Sequence, residues 1–129
     1  MFNFNKIISG FDLNNIFGGN RCRPYGTYKV INQEELMTFL TNDIYIIDVR
    51  TDKEFSSMHI KNSINIPLNM LQRDISVIVA DKDAKILVYC STGDRTCIAI
   101  QKLNNMGYNN IYIWGNGGLN TLKIKELIE

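Results

Sequence analysis

Short continuous apolar runs alternate with segments of helical periodicity from residue 28 onwards. Such runs are typical of strands buried on both faces of a sheet. They predict strands at 28–31, 44–47, 63–66, 85–89 and 111–113. Between them, apolar residues at helical spacing predict helices at 32–43, 51–57, 67–78, 96–106 and 119–128. Asn32, followed three residues later by Glu35, predicts a capped start for the first of these helices. Strands that alternate with helices through short connections indicate βα units, and hence an α/β fold with a parallel sheet covered on both faces.

Residues 1–27 break this pattern and predict a partly ordered N-terminal arm that packs on a domain spanning 28–129. The arm is rich in Gly and Asn. A short amphipathic turn is compatible with four apolar residues, Phe11, Leu13, Ile16 and Phe17. An arm that docks a protein or touches a membrane is the alternative.

Composition and charge narrow the function classes. The chain has 129 residues, 45% of them hydrophobic and 21% charged, with a formal net charge of +1. With no long basic run, the sequence predicts neither a nucleic-acid partner nor a membrane partner. The N-terminus lacks the apolar core of a signal peptide, so we expect a cytoplasmic protein.

The cysteine count points to free thiols. Three cysteines, with no C-x-x-C pair, argue against a disulfide framework and against a zinc site. We therefore expect no metal, and thiols that stay reduced unless one is reactive.

The strongest candidate chemistry follows the strand at 85–89. Cys90 closes this strand, five small or polar residues follow, and a helix is predicted to begin at Thr96. Such a loop directs backbone N–H groups and the helix dipole at its centre, where they stabilise an anion. We expect Cys90 to be largely a thiolate at neutral pH, with Gly93 supplying any positive φ. The structural alternative is an inert buried cysteine.

Four blocks of the sequence, in order, resemble the single-domain rhodanese family. They are Asp48-Val49-Arg50-Thr51-Asp52-Lys53-Glu54-Phe55; His59-Ile60 with Ile64-Asn65-Ile66-Pro67; Tyr89-Cys90-x-x-Gly93-x-Arg95-Thr96; and Gly117-Gly118. Two positions depart from the family pattern. Asn62 stands where the family often has Gly, and we expect it to replace Gly because Asn tolerates left-handed backbone. Leu122 stands where the family commonly has Trp.

The resemblance implies a three-layer α/β/α fold with a central, mostly parallel five-stranded sheet, and a sulfurtransferase activity. Cys90 would be the nucleophile that carries sulfane sulfur as a persulfide. The implied partners are a small-molecule or protein persulfide donor and a thiol acceptor, and no cofactor is implied. The cradle for the terminal sulfur would be formed by Ser91, Thr92, Gly93, Asp94, Arg95 and Thr96.

The remaining candidates have supporting roles. Asp48 and Arg50 either contact substrate or, as we favour, satisfy loop backbone and Glu54. His59 is a base or, more simply, a hydrogen-bonded scaffold residue. Cys97 either resolves an oxidised Cys90 or, as we favour, is a core thiol, and Cys22 in the arm is expected to be incidental.

Two other functions remain open. A phosphatase or arsenate reductase of the cysteine-loop type places its arginine six residues after the cysteine, whereas Arg95 is five after Cys90. The third alternative is a catalytically silent binding module.

The charges of the loop bear on the donor. Arg95 is the only cation within the loop and Asp94 lies beside it, so thiosulfate, a dianion, is expected to be a mediocre donor.

Overall fold

A parallel five-stranded sheet lies at the centre of the computed structural model, which describes residues 21–39, 43–122 and 128–129. The strand order is β1-β5-β4-β2-β3, and each neighbouring pair is parallel. This order places β4 in the middle, beside β2 and β5. The strands are β1 Lys29–Ile31, β2 Tyr45–Asp48, β3 Ser63–Asn65, β4 Ile86–Tyr89 and β5 Ile111–Trp114. The predicted α/β class and parallel sheet are confirmed.

Helices cover both faces of this sheet, as the continuous apolar strands required. They are α1 Gln33–Phe39, α2 Asp52–Ser57, α3 Leu71–Ile78 and α4 Asp94–Asn105. Alternate strand residues point to opposite faces. Ile47 and Val88 pack in one layer with residues of α3 and α4. Ile46 and Leu87 pack in the other layer with Leu36 of α1.

Three helix boundaries differ from the prediction. The segment after Pro67 opens with a 3-10 turn, Leu68–Met70, before α3 begins. Helix α4 begins at Asp94 and not at Thr96. The predicted helix at 119–128 is wrong at its start, because the 3-10 turn Leu119–Thr121 ends at an extended Leu122; residues 123–127 lie outside the described residues.

Local polar contacts define two helix starts. Asn32 and Glu35 exchange side-chain-to-backbone hydrogen bonds of 2.8 and 2.9 Å, which confirms the cap before α1. Thr51 and Glu54 form the same reciprocal arrangement at α2. Asn62 has a φ of 67°, so this residue does adopt the left-handed backbone for which we expected it to replace Gly.

None of the helices in the described parts of the chain has the length and apolar character needed to cross a membrane.

Candidate active site

Cys90 lies directly after β4, in the middle of the sheet, and is fully buried. Its backbone is held by the turn after β5, since the Cys90 N–H donates to Gly117 O over 3.1 Å. The Leu119 N–H donates to Cys90 O over 2.7 Å. The position of the sulfur is therefore set by backbone pairing that continues the sheet beyond its last regular residue.

The loop after Cys90 bends back at Gly93. Gly93 has a φ of +98°, and its N–H donates a hydrogen bond to Cys90 Sγ over 3.0 Å. A Cβ at this position would lie 2.3 Å from Asn116 O, so both the backbone angle and the available space require glycine. Because Gly93 completes the bend, α4 starts at the next residue, and the loop before it is three residues long where we had expected five.

The glycine-rich turn after Trp114 packs beside this loop. Buried Thr96 donates its hydroxyl to Gly117 O over 2.8 Å. The Asn120 N–H donates to Ser91 O over 3.0 Å. These contacts join the turn to both ends of the loop, and the Gly93 N–H between them donates to the sulfur.

Arg95 is bound by Glu54, a residue that sequence reasoning had not placed in the site. Its guanidinium donates to Glu54 Oε1 over 2.7 Å and to Oε2 over 3.0 Å, and the Ser91 hydroxyl donates to Oε2 over 3.2 Å. The hydrogen bond from Arg95 lowers the pKa of Glu54 and raises that of Arg95. The capping pattern Thr51-x-x-Glu54 was the available signal, but it indicated only a helix start.

Asp94 is also paired, with an arginine from outside the loop. Arg21 forms an ion pair with Asp94 and donates from Nη1 to Thr92 O over 3.0 Å. The Thr92 hydroxyl contacts Asp94 Oδ2 at 3.4 Å. Arg95 is the only cation within the loop, but the charge balance at the loop also includes Arg21 from outside it, and Arg95 itself is bound to Glu54.

Cys22 and Cys97 form a disulfide, which corrects the expectation of three free thiols. Their separation of 75 residues hid the pairing, and the odd cysteine count reflects one disulfide plus one free thiol, Cys90. Cys22 is thus not incidental, and Cys97 is neither a free core thiol nor available to resolve Cys90. Disulfides persist in oxidising compartments, so this one does not support the predicted cytoplasmic location, which stays a prediction.

Asp48 and Arg50 form a buried ion pair at the end of β2. Arg50 donates to Asp48 from its backbone N–H, its Nε and its Nη2, and Nη2 also donates to Met58 O. Asn65 donates to the backbone carbonyls of both. These contacts fit the structural role that we favoured over substrate contact, but they run to Met58 and Asn65 and not to Glu54.

His59 packs between Phe55 and the C-terminus. Its Nδ1 lies 2.8 Å from Phe55 O, the two rings stack at 3.8 Å, and its Nε2 lies 3.8 Å from a Glu129 carboxylate oxygen. Hydrogen bonds in both directions also join the backbones of His59 and Glu129. Each of these contacts is structural and fits the scaffold role.

A pocket of about 390 Å³ opens beside the loop. Its wall includes Arg95, Val49, Thr51 and Leu68, and it extends along α4 to Lys102. The pocket is mostly apolar, and its two cations are Arg95, whose guanidinium is bound to Glu54, and Lys102. Within the described residues, no group of three or more His, Cys, Asp or Glu side chains is placed to hold a metal ion.

Comparison with known proteins agrees with this geometry. Residues 32–124 match the model of the rhodanese-like domain. The chain is 32% identical over 81 residues to the thiosulfate sulfurtransferase PspE of Escherichia coli, with 63% of this chain and 76% of the relative covered. It is 38% identical over 66 residues to the adenylyltransferase and sulfurtransferase uba4 of Ogataea parapolymorpha; that match covers 51% of this chain but only 17% of the relative.

A solved structure shows the same architecture. The crystal structure of a rhodanese-related protein from Thermoplasma volcanium aligns with a TM-score of 0.61 at 31% identity. The alignment covers 73% of this chain and 89% of that protein. The chain belongs to the rhodanese-like domain family.

Proposed function

We propose that this protein is a sulfurtransferase that carries sulfane sulfur as a persulfide on Cys90. The observation that carries the proposal is the hydrogen bond from the Gly93 N–H to Cys90 Sγ, 3.0 Å long, at the point where α4 begins. A backbone donor and a helix N-terminus together favour an anionic sulfur. The sulfurtransferase names of the relatives PspE and uba4 support this reading.

The first step loads the cysteine. The Cys90 thiolate attacks the outer sulfur of a donor such as thiosulfate or a persulfide, and a new S–S bond forms on Cys90. The donor's own S–S bond breaks, and its electron pair leaves with sulfite or with a thiolate. The terminal sulfur of the resulting Cys90 persulfide keeps one negative charge, so the environment that held the thiolate also suits the product.

The second step unloads it. A thiophilic acceptor, such as cyanide or a protein thiolate, attacks the terminal sulfur, and the bond to Cys90 Sγ breaks. Cys90 leaves as a thiolate, and the enzyme returns to its starting form. Each displacement moves one electron pair and needs no further oxidant or reductant, which makes the cycle a ping-pong reaction.

The surrounding residues shape the loop for this exchange. Ser91 and Arg95 are bound to Glu54, and Thr96 is bound to Gly117, so hydrogen bonds hold the loop on both sides. Because Cys90 is fully buried, a donor that presents a small terminal sulfur is favoured over one that must bring a bulky group to it. We propose persulfide donors and thiol acceptors as partners on this ground.

The proposal is tested by mass spectrometry after incubation with thiosulfate. We expect an adduct of one sulfur atom that maps to Cys90 and is removed by cyanide. Cys90→Ser, a near-isosteric change, is the control, and it should fold normally but show neither the adduct nor cyanide-dependent turnover. Turnover in Cys90→Ser would contradict the assignment of Cys90 as the nucleophile. A wild-type protein that takes up no sulfur from thiosulfate or a persulfide would favour the silent binding module.

A further inference from the structure

A segment that precedes the family match lies against the catalytic loop. The match begins at residue 32, whereas residues 21–27 run beside α4. The segment contacts the start of the helix through Asp94, its fourth residue through Cys97 and its last turn through Asn104, which accepts a hydrogen bond from the Thr27 N–H. The neighbourhood of the loop thus includes residues outside the range that matches the family model.

The disulfide is the covalent part of this attachment. Cys22 and Cys97 are both buried, and Cys97 is only four residues after Gly93. The Cys22 carbonyl accepts the first hydrogen bond of the 3-10 turn Arg23–Tyr25, and the Cys22 N–H donates to the Tyr28 hydroxyl. Residue 21 is therefore attached to a point fixed with respect to the loop.

Arg21 uses this anchorage to reach the loop. Its guanidinium donates to Thr92 O and pairs with Asp94. It also lies against Gly93, because a Cβ built on Gly93 would be 3.2 Å from Arg21 Nη1. Gly93 is the residue whose N–H holds the sulfur. Arg21 therefore places a positive charge against the residue that donates to Cys90 Sγ, and beside the Asp94 carboxylate.

We propose that Arg21, held by the Cys22–Cys97 disulfide, is a positioning residue that screens Asp94 and thereby sets the selectivity of the loop for anionic sulfur donors. The selectivity for sulfur donors rests on the proposed function; the screening of Asp94 does not. Without Arg21, the carboxylate of Asp94 repels any second negative charge that approaches Cys90. A dianionic donor feels this repulsion most strongly.

The expected size of the effect of Arg21 on donor binding follows from the solvent exposure of the ion pair. The side chains of Arg21 and Asp94 are 36% and 74% exposed, so solvent weakens the interaction to surface strength. We expect Arg21→Gln to raise the KM for thiosulfate about threefold and to leave kcat nearly unchanged, because the effect acts on donor binding. Asp94→Asn should lower KM, since it leaves Arg21 with an uncompensated charge, and the double variant should return KM to near the wild-type value.

A matched control lies two residues away. Arg23 is on the same segment, but its guanidinium stacks on the Tyr28 ring and donates to Tyr28 O. Arg23→Gln removes the same charge from the same segment and should not change KM by the same factor. Added salt should narrow the difference between Arg21→Gln and wild type.

A second readout is independent of sulfur transfer. The rates at which anionic iodoacetate and neutral iodoacetamide alkylate Cys90 are compared at one pH, with the site mapped by mass spectrometry. Arg21→Gln should lower the iodoacetate rate relative to the iodoacetamide rate about threefold, and Asp94→Asn should raise it. Cys22→Ala, which opens the disulfide, should shift the ratio in the direction of Arg21→Gln.

These outcomes separate the two proposals. An unchanged alkylation ratio in Arg21→Gln overturns the role of Arg21, whatever the protein's activity. An unchanged ratio in folded Cys22→Ala overturns the role of the disulfide, and Arg21→Gln still tests the charge if Cys22→Ala fails to fold. A shifted ratio in a protein that transfers no sulfur supports the screening by Arg21 and contradicts the proposed function.

Discussion

Arg95 and Glu54 are joined by two parallel hydrogen bonds, Nη1 to Oε1 over 2.7 Å and Nη2 to Oε2 over 3.0 Å. This pair connects the first turn of α4 to the first turn of α2, which follows a different strand of the sheet. Glu54 also accepts from Ser91 and caps α2 through Thr51. A single carboxylate thereby holds one side of the cysteine loop.

The Glu54 carboxylate makes stability depend on pH in a defined direction. The pKa of Glu54 is lowered in the folded protein, chiefly by Arg95. Its stabilising effect is therefore complete above the ordinary glutamate pKa of about 4.3 and is lost as the pH falls from there towards the folded-state value. We expect Glu54→Gln to be less stable than wild type by about 1 kcal/mol at pH 7, and the difference to shrink progressively below about pH 4.

Urea unfolding at pH 7 and at a series of lower pH values measures this gap. Asp52→Asn is the control, since it removes a carboxylate from the same first turn of α2. If the loss of unfolding free energy in Glu54→Gln does not change with pH, that loss does not come from the ionised Glu54–Arg95 pair.

Gly93→Ala tests the geometry of the loop. The substitution forces a Cβ into a φ of +98° and to within 2.3 Å of Asn116 O. We expect a loss of about 3 kcal/mol in unfolding free energy and a loss of Cys90 reactivity, because the loop must move. Gly107→Ala is the matched control: Gly107 has a φ of +96°, but the nearest atom to its Cβ is Lys82 Cδ at 4.0 Å.

Gly107→Ala should cost about 1 kcal/mol and leave Cys90 reactivity unchanged. Thermal unfolding and the iodoacetamide rate measure the two effects separately. Equal losses in both variants would mean that the backbone angle alone matters and that the contact with Asn116 does not.

The disulfide should contribute strongly to stability. It closes a loop of 75 residues, and in the chain-entropy model a loop of that size is worth about 4 kcal/mol. Reduction should therefore lower the urea midpoint of the wild type. Cys90→Ala should show the same shift, and Cys22→Ala/Cys97→Ala should show none. If reductant does not change the urea midpoint of the wild type, the Cys22–Cys97 disulfide does not stabilise the protein as predicted.

The buried pair at the end of β2 provides another test. Asp48→Asn leaves the Arg50 guanidinium buried with its charge unpaired, and we expect a loss of about 3 kcal/mol. Asp74→Asn, in an exposed pair with Arg73, should change stability little. If Asp48→Asn kept its stability but lost donor binding, the pair would contact substrate after all.

Phosphate esters should not be substrates. The arginine is one position closer to the cysteine than in cysteine-loop phosphatases, and Arg95 is turned to Glu54. We expect hydrolysis of an aryl phosphate no faster than in Cys90→Ser, and weak anion binding once one residue is inserted between Gly93 and Arg95. Robust turnover by the unmodified protein would instead indicate a phosphatase.

The sequence by itself determined the features that local patterns encode. The strands, the helix cap at Asn32 and the position of Cys90 follow from short-range periodicity and residue type, and the structure places them as expected. The left-handed backbone of Asn62 could also be predicted from the sequence, because Asn tolerates that conformation better than most residues.

Only the tertiary structure decided which distant residues meet. Arg21 pairs with Asp94 across 73 residues, Cys22 joins Cys97 across 75, and Arg95 binds Glu54 across 41. These side chains are polar or small and leave no periodic signal. They meet because the parallel sheet brings the ends of β2 and β4 to one edge, and because residues 21–27 run along α4. The position of the cysteine loop at the end of a strand could therefore be predicted from the sequence, whereas the charge balance of the loop required the fold.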